Sequence, residues 1–121
     1  MIGTIGWQRI EGLLIFASGL ALYLAMNGEL PWWVAILVFF APDLSFFAYV
    51  FGPKIGAFGY NAVHIYGFGA SVFTFGLCLD ISVATSLGAI WLAHAGFDRL
   101  LGYGLKTNEG FKITHMGEIG Q

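Results

Sequence analysis

The chain predicts an all-α polytopic membrane protein, a bundle of four transmembrane helices, and three observations carry that expectation. Of its 121 residues 58% are hydrophobic and only 10% charged, where a soluble domain carries roughly 25% charged residues, and the mean hydropathy is +0.79. The apolar residues gather into four runs close to the ~20 residues that an α-helix needs to cross the hydrocarbon core. None of the runs alternates as a barrel strand does, and lipid leaves a spanning backbone only helices or closed barrels. Residues 1–121 are expected to form one transmembrane domain, with too little chain outside the runs for a soluble module.

The first run covers about residues 7–26 and ends at Asn27 and Gly28. It begins almost at Met1 and has no small-residue cleavage site, so a retained helix is expected rather than a signal peptide. The second, about 31–51, opens on Pro31, a residue suited to a first helical turn, and stops at Gly52 and Pro53. A third helix is expected over about 55–77 and a fourth over about 83–101, with Asp80 or Ser82 as the cap between them. Pro42 should bend the second helix just before Asp43 by depriving the Val38 carbonyl of its donor. Glycines inside the spans, Gly12, Gly19, Gly67, Gly69, Gly88 and Gly96, are expected to let helices pack closely. The polar tail, 102–121, is expected to lie against the bundle or a partner, with FKITHMG returning to the membrane surface to close a site.

Charge placement orients the bundle. Arg9, Lys54, Arg99, Lys106 and Lys112 all fall on one side of a four-pass hairpin arrangement, and the opposite loops carry Glu29 and Asp80. By the positive-inside rule both termini are cytoplasmic. Trp32 and Trp33 then mark the outer interface, with Trp7 and Tyr103 as inner counterparts. A net charge of -2 shows no nucleic-acid footprint, and Cys78 as the sole cysteine excludes an internal disulfide and a cysteine-rich metal site.

The strongest functional signal is one-sided polarity. Counted at ~1.5 Å per residue from the cytoplasmic ends, Asp43 lies about 12 Å deep, His64 about 13 Å, His94 about 10 Å and Asp98 about 5 Å. His94 and Asp98 are one turn apart on one face of the fourth helix. Ionisable groups in a membrane are costly, and a shared site compensates them most simply. The functional reading is a divalent-metal site of Asp43, His64, His94 and Asp98, with His115 as a fifth ligand or general base; imidazole and carboxylate suit Zn, Mn or Fe. Tyr60 is placed to donate to His64, Asn61 shares its face, and Arg99 and Lys106, with Lys54, form a basic rim for an anionic lipid head group or lipid-like substrate. Glu11 is expected to pair with Arg9 or Arg99, and Arg99 with Asp98 or Glu11. Two other readings use the same residues: a hydrogen-bonded network that fixes helix packing, and a haem or pigment held between His64 and His94. No HExxH, GxSxG or phosphate-binding loop occurs.

The motifs RIEGL from Arg9, APDLS at 41–45, GxxxYNxxHxY from Gly56 to Tyr66, WLAHxGxDRxxGYGLK from Trp91 to Lys106 and FKxTHxG from Phe111 to Gly117 resemble the domain-of-unknown-function 4260 family of small bacterial membrane proteins. The resemblance implies a four-pass protein of the bacterial cytoplasmic (inner) membrane with no assigned activity. Glu11, Asp43, Tyr60, Asn61, His64, His94, Asp98, Arg99, Lys106 and His115 match its polar positions. A looser likeness, by analogy only, is to membrane-bound metal-dependent hydrolases. The expectation is a metal-dependent enzyme acting on a lipid-like substrate; its rival is a non-catalytic subunit of a larger membrane complex or homo-oligomer.

Overall fold

The computed structural model describes residues 2–26 and 30–118. Met1, Asn27, Gly28, Glu29 and residues 119–121 lie outside the described residues, and so do the expectations placed on them. The described residues hold five α-helices: α1 Thr4–Ala25, α2 Trp32–Phe40, α3 Pro53–His64, α4 Tyr66–Leu79 and α5 Ser82–Leu101. A 3-10 helix, Ala41–Phe51, continues α2, and the strands β1 Lys106–Thr107, β2 Gly110–Thr114 and β3 Gly117–Glu118 come after α5.

Two helical stretches, Thr4–Ala25 and Trp32–Phe51, are long and apolar enough to cross a membrane, and the bent pair α3–α4 makes a third if it is one span. On α1 only Gly12 and Gly19 are buried, and Trp32, Leu37, Phe47, Val50 and Phe58 are among the large apolar side chains left exposed. Such apolar exposure suits a lipid solvent. The expected fourth run differs: α5 does not reach the apolarity of a span, and eleven of its 20 residues are buried. It is the central helix, packed by α1, α2 and α4, so its polar side chains face protein instead of lipid.

Close approach makes that packing. A Cβ on Gly12 or Gly96 would run into the partner helix across the α1–α5 contact, and one on Gly69 or Gly88 would do so across α4–α5. Gly67 is exposed, with no such contact, and does not share the packing role expected of it.

Three local expectations are corrected. Around Pro42 the second span winds into 3-10 helix for 11 residues, ended by Gly52 at φ 107, and the Val38 carbonyl expected to lose its donor accepts the Ala41 N–H; such a long 3-10 run is unusual and often marks a functional hinge. The third run is two helices: Ile65 is extended, at ψ 150, and α3 and α4 meet at 47°. Neither glycine nor proline stands at residue 65. The break is supplied from α5, where Arg99 Nη2 donates to the His64 carbonyl at 2.9 Å and Trp91 Nε1 to that of Val63 at 2.8 Å. Freed backbone groups in a membrane helix persist only when a neighbour satisfies them. Finally, Asp80 closes α4 in a left-handed conformation, φ 57, and α5 begins after Ile81 with no side-chain cap.

The tail folds back as an antiparallel meander, β1-β2-β3, in which Lys106 pairs with Thr114 and Thr114 with Gly117. It lies against α3. Arg9 Nε donates to the Leu100 carbonyl at 2.8 Å, which sets the start of α1 beside the end of α5 and near the tail.

Candidate metal centre

Three elements bring four ionisable side chains together. Asp43 comes from the 3-10 helix, His64 from the last residue of α3, and His94 and Asp98 from successive turns of α5. One ligand atom from each lies within 4.8 Å of all the others. His64 Nε2 is 3.3 Å from Asp43 Oδ1 and 3.5 Å from Asp98 Oδ2, and His94 Nε2 is 3.2 Å and 3.3 Å from the same oxygens. The two Nε2 atoms are 3.2 Å apart. His64 and His94 are fully buried, whereas the Asp43 side chain is 53% exposed and stands at the entrance.

The hydrogens decide what this arrangement can be. His64 Nδ1–H donates to the Tyr60 carbonyl at 2.7 Å, so the neutral ring turns a bare Nε2 lone pair inward. A neutral histidine pair then brings at most one hydrogen to five contacts. All five, at 3.2–3.5 Å, exceed the ~2.7–2.9 Å of a charge-assisted N–H···O bond. Ligands held about 2.0–2.1 Å from a tetrahedral zinc-like ion stand about 3.3–3.4 Å from one another. Five of the six separations match that spacing, the sixth, between Asp43 and Asp98, lies within 4.8 Å, and the donor set suits a divalent ion. His94 Nδ1 is buried and has no hydrogen-bond partner among the described residues, so only His64 has the supporting bond usual for a ligating imidazole. The two imidazoles stand edge to face with centroids 5.1 Å apart, which leaves no room between them for a macrocycle.

A cleft of about 470 Å³ opens onto the carboxylates and is lined by Asp43, Phe46, Tyr60, Asp98, Tyr103, Lys106 and Phe111. The tail supplies its roof. Asn61 fixes that roof, donating from Nδ2 to the Lys106 carbonyl at 2.8 Å and accepting the Lys106 N–H on Oδ1 at 2.7 Å. Its amide is thus spent on backbone, not on a cofactor. Tyr60 stacks on His64, centroids 3.7 Å apart at 6°, and orients it through its carbonyl and not through the expected hydroxyl. Lys106 Nζ sits 4.0 Å from the Phe111 ring centre and 4.8 Å from that of Tyr60. Burial pulls its ammonium down to about 8, against the opposing pull of Asp98 and Asp43.

Two expected participants stand elsewhere. His115 is outside the four-residue group: its Nδ1 accepts the Leu105 N–H at 2.8 Å and its Nε2–H donates to Gln8 Oε1 at 2.9 Å. Both ring nitrogens are occupied, so it is neither a fifth ligand nor a free base. It lines a separate cleft with Glu11, Tyr66 and Arg99; burial, and then the Arg99 charge, lower its pKa. Arg99 holds the carbonyls of His64 and Tyr103 rather than a carboxylate, and among the described residues neither Glu11 nor Asp98 comes within 4.0 Å of an arginine. Phe46, Tyr103 and Phe111 complete the cleft without having been singled out from the sequence as site residues. Tyr103 and Phe111 each carried a signal, their places in the motifs WLAHxGxDRxxGYGLK and FKxTHxG.

Against known proteins, residues 6–119 match the family model of a domain of unknown function (DUF4260), and the chain belongs to that family. No curated protein and no solved structure matches it.

Proposed function

We propose that this DUF4260 member is a four-pass protein of the bacterial cytoplasmic membrane, with both termini inside, that binds one divalent ion through Asp43, His64, His94 and Asp98 and hydrolyses a lipid-like ester at that centre. The observation that carries the metal reading is the mutual spacing of the four ligand atoms around a lone pair that the Tyr60 carbonyl turns inward. In the four-pass reading the broken α3–α4 pair is one span and α5, shielded by its neighbours, is the fourth. The five basic residues support the orientation.

When bound, the ion supplies Lewis acidity and an activated water. The protein's part is spatial. His64 and His94 close the floor, Asp43 leaves the entrance open, and Phe46, Tyr60 and Phe111 offer apolar walls to a substrate arriving from the inner leaflet. With His115 engaged elsewhere, proton transfer would fall to the Asp43 and Asp98 carboxylates.

Metal analysis of detergent-purified protein tests this. One Zn, Mn or Fe per chain is expected, lost in the double variant His64→Ala/His94→Ala with its helical content intact. Metal-free protein, even after supplementation, would sink the proposal. If the same variant binds metal normally but fails to assemble with other membrane proteins, the chain is a non-catalytic subunit instead.

A further inference from the structure

Lys106 is only 4% exposed, yet it has no carboxylate within 4.0 Å among the described residues, and its side chain lines the metal cleft between the Tyr60 and Phe111 rings. An ammonium set in an enclosed cleft, with only the more distant Asp98 and Asp43 to offset its charge, is costly, and the fold fixes its backbone. The Asn61 amide clamps both backbone groups of Lys106, and Thr114 pairs with it across the sheet. Aromatic faces stabilise the cation partly, but they satisfy none of its three N–H donors.

We infer that Lys106 binds the anionic oxygen of a phosphate ester whose other oxygens face the ion, so that the substrate class is a phosphodiester of the lipid head-group kind. This rests on the metal reading of the same site. Charge counting agrees: two neutral imidazoles, two carboxylates, a divalent ion and one ammonium leave one positive charge, which a phosphodiester, with its single negative charge, neutralises. The cleft is open at Asp43, and its Phe46 and Phe111 walls suit the chain-bearing side of such a molecule.

The experiment uses the metal-loaded full chain in maltoside micelles, with metal content measured on each sample and lysine Nζ labelled with nitrogen-15. It is titrated with dihexanoyl phosphatidylglycerol, with dihexanoylglycerol, which lacks the phosphate, and with inorganic phosphate. Phosphatidylglycerol is expected to shift the Lys106 Nζ resonance, and Lys106→Met to keep its metal but bind the lipid at least about tenfold more weakly, as loss of a charge-assisted bond implies. Lys106→Arg should bind within about threefold of the original chain. Displacement by phosphate at equal affinity assigns the site to the free anion; displacement by phosphatidylglycerol alone assigns it to the head group. An unmoved Nζ resonance, equal lipid affinity in Lys106→Met, or equal binding of dihexanoylglycerol overturns the inference. If Lys106→Met does not fold, the Nζ shift in the unmodified chain decides. Wild-type protein devoid of metal overturns the metal reading instead, and is read separately on the same samples.

Discussion

The His64 ring lies flat on the Tyr60 ring, 3.7 Å between centroids, while its Nδ1–H donates to the Tyr60 carbonyl one turn back at 2.7 Å. Ring orientation and tautomer are thus set by the same residue, through different atoms. Tyr60→Leu removes the stack and leaves the carbonyl, so metal affinity should fall by no more than the ~10–100-fold usual for a supporting contact. His64→Ala removes the ligand itself and should abolish stoichiometric binding. Chelator competition on the two purified variants measures both, and equal loss in the two would show that the ring, not the carbonyl, holds the tautomer.

Arg99 joins the C-terminal end of α5 to the break after His64. Arg99→Met should strand the His64 and Tyr103 carbonyls at about 1–3 kcal/mol for each buried group left unpaired. Thermal unfolding in detergent is expected several degrees lower, with helical content little changed below the transition. An unchanged midpoint would mean that water satisfies the break.

These two cases show how far the site was legible in the sequence. Depth counting brings Asp43, His64, His94 and Asp98 together because each sits a fixed number of helical rises from a recognisable end. The break at Ile65 was not legible, because it is imposed by Arg99 and Trp91 from a helix distant in sequence while VHIYG itself reads as continuous helix. The 3-10 winding after Ala41 was visible only as a proline bend. His115 was misplaced for a similar reason: its partners are Gln8, at the other end of the chain, and the Leu105 backbone, and no local pattern announces either. The central position of α5 was masked by its length, although its apolarity, short of that of a span, was a signal in the sequence.

The α4–α5 seam gives a packing test. A Cβ on Gly88 would collide with the Phe73 backbone, which cannot turn aside as a side chain can. Gly88→Ala should therefore destabilise by about 1–3 kcal/mol, the usual cost of overpacking. Gly67→Ala, at an exposed site, should be neutral or slightly stabilising. Comparing the two unfolding midpoints in one detergent checks the assignment, and a harmless Gly88→Ala would mean that the helices can part.

Acid should loosen the tail. The His115 pKa is lowered by burial and by Arg99, in a cleft that also holds Glu11 and Tyr66. The unfolded chain then takes up a proton near its ordinary value of 6.5 while the folded tail resists, so stability is complete above that value and declines as pH falls below it. Protonated Nδ1 can no longer accept the Leu105 N–H. Amide exchange at Leu105, corrected for the intrinsic pH dependence, should accelerate between about pH 6.5 and 5, and His115→Gln should flatten the profile.

Removing the metal should have different consequences in two backgrounds. Without an ion, Asp43 and Asp98 face the His64 lone pair and a His94 ring that brings at most one hydrogen, and the nearby ammonium of Lys106 only partly offsets their charge. An ion present at a hundredfold its dissociation constant stabilises by about 2.7 kcal/mol, so chelation should lower the unfolding midpoint of the original chain by several degrees. Asp98→Asn removes one carboxylate charge while keeping much of the shape. It should weaken metal binding severely, yet unfold at or above the midpoint of the chelated original chain, because one buried charge is gone. Chelator should leave its midpoint unmoved. A chelator-insensitive original chain, combined with a destabilised Asp98→Asn, would be the behaviour of a proton-linked packing network, and would move the cluster from chemistry to architecture.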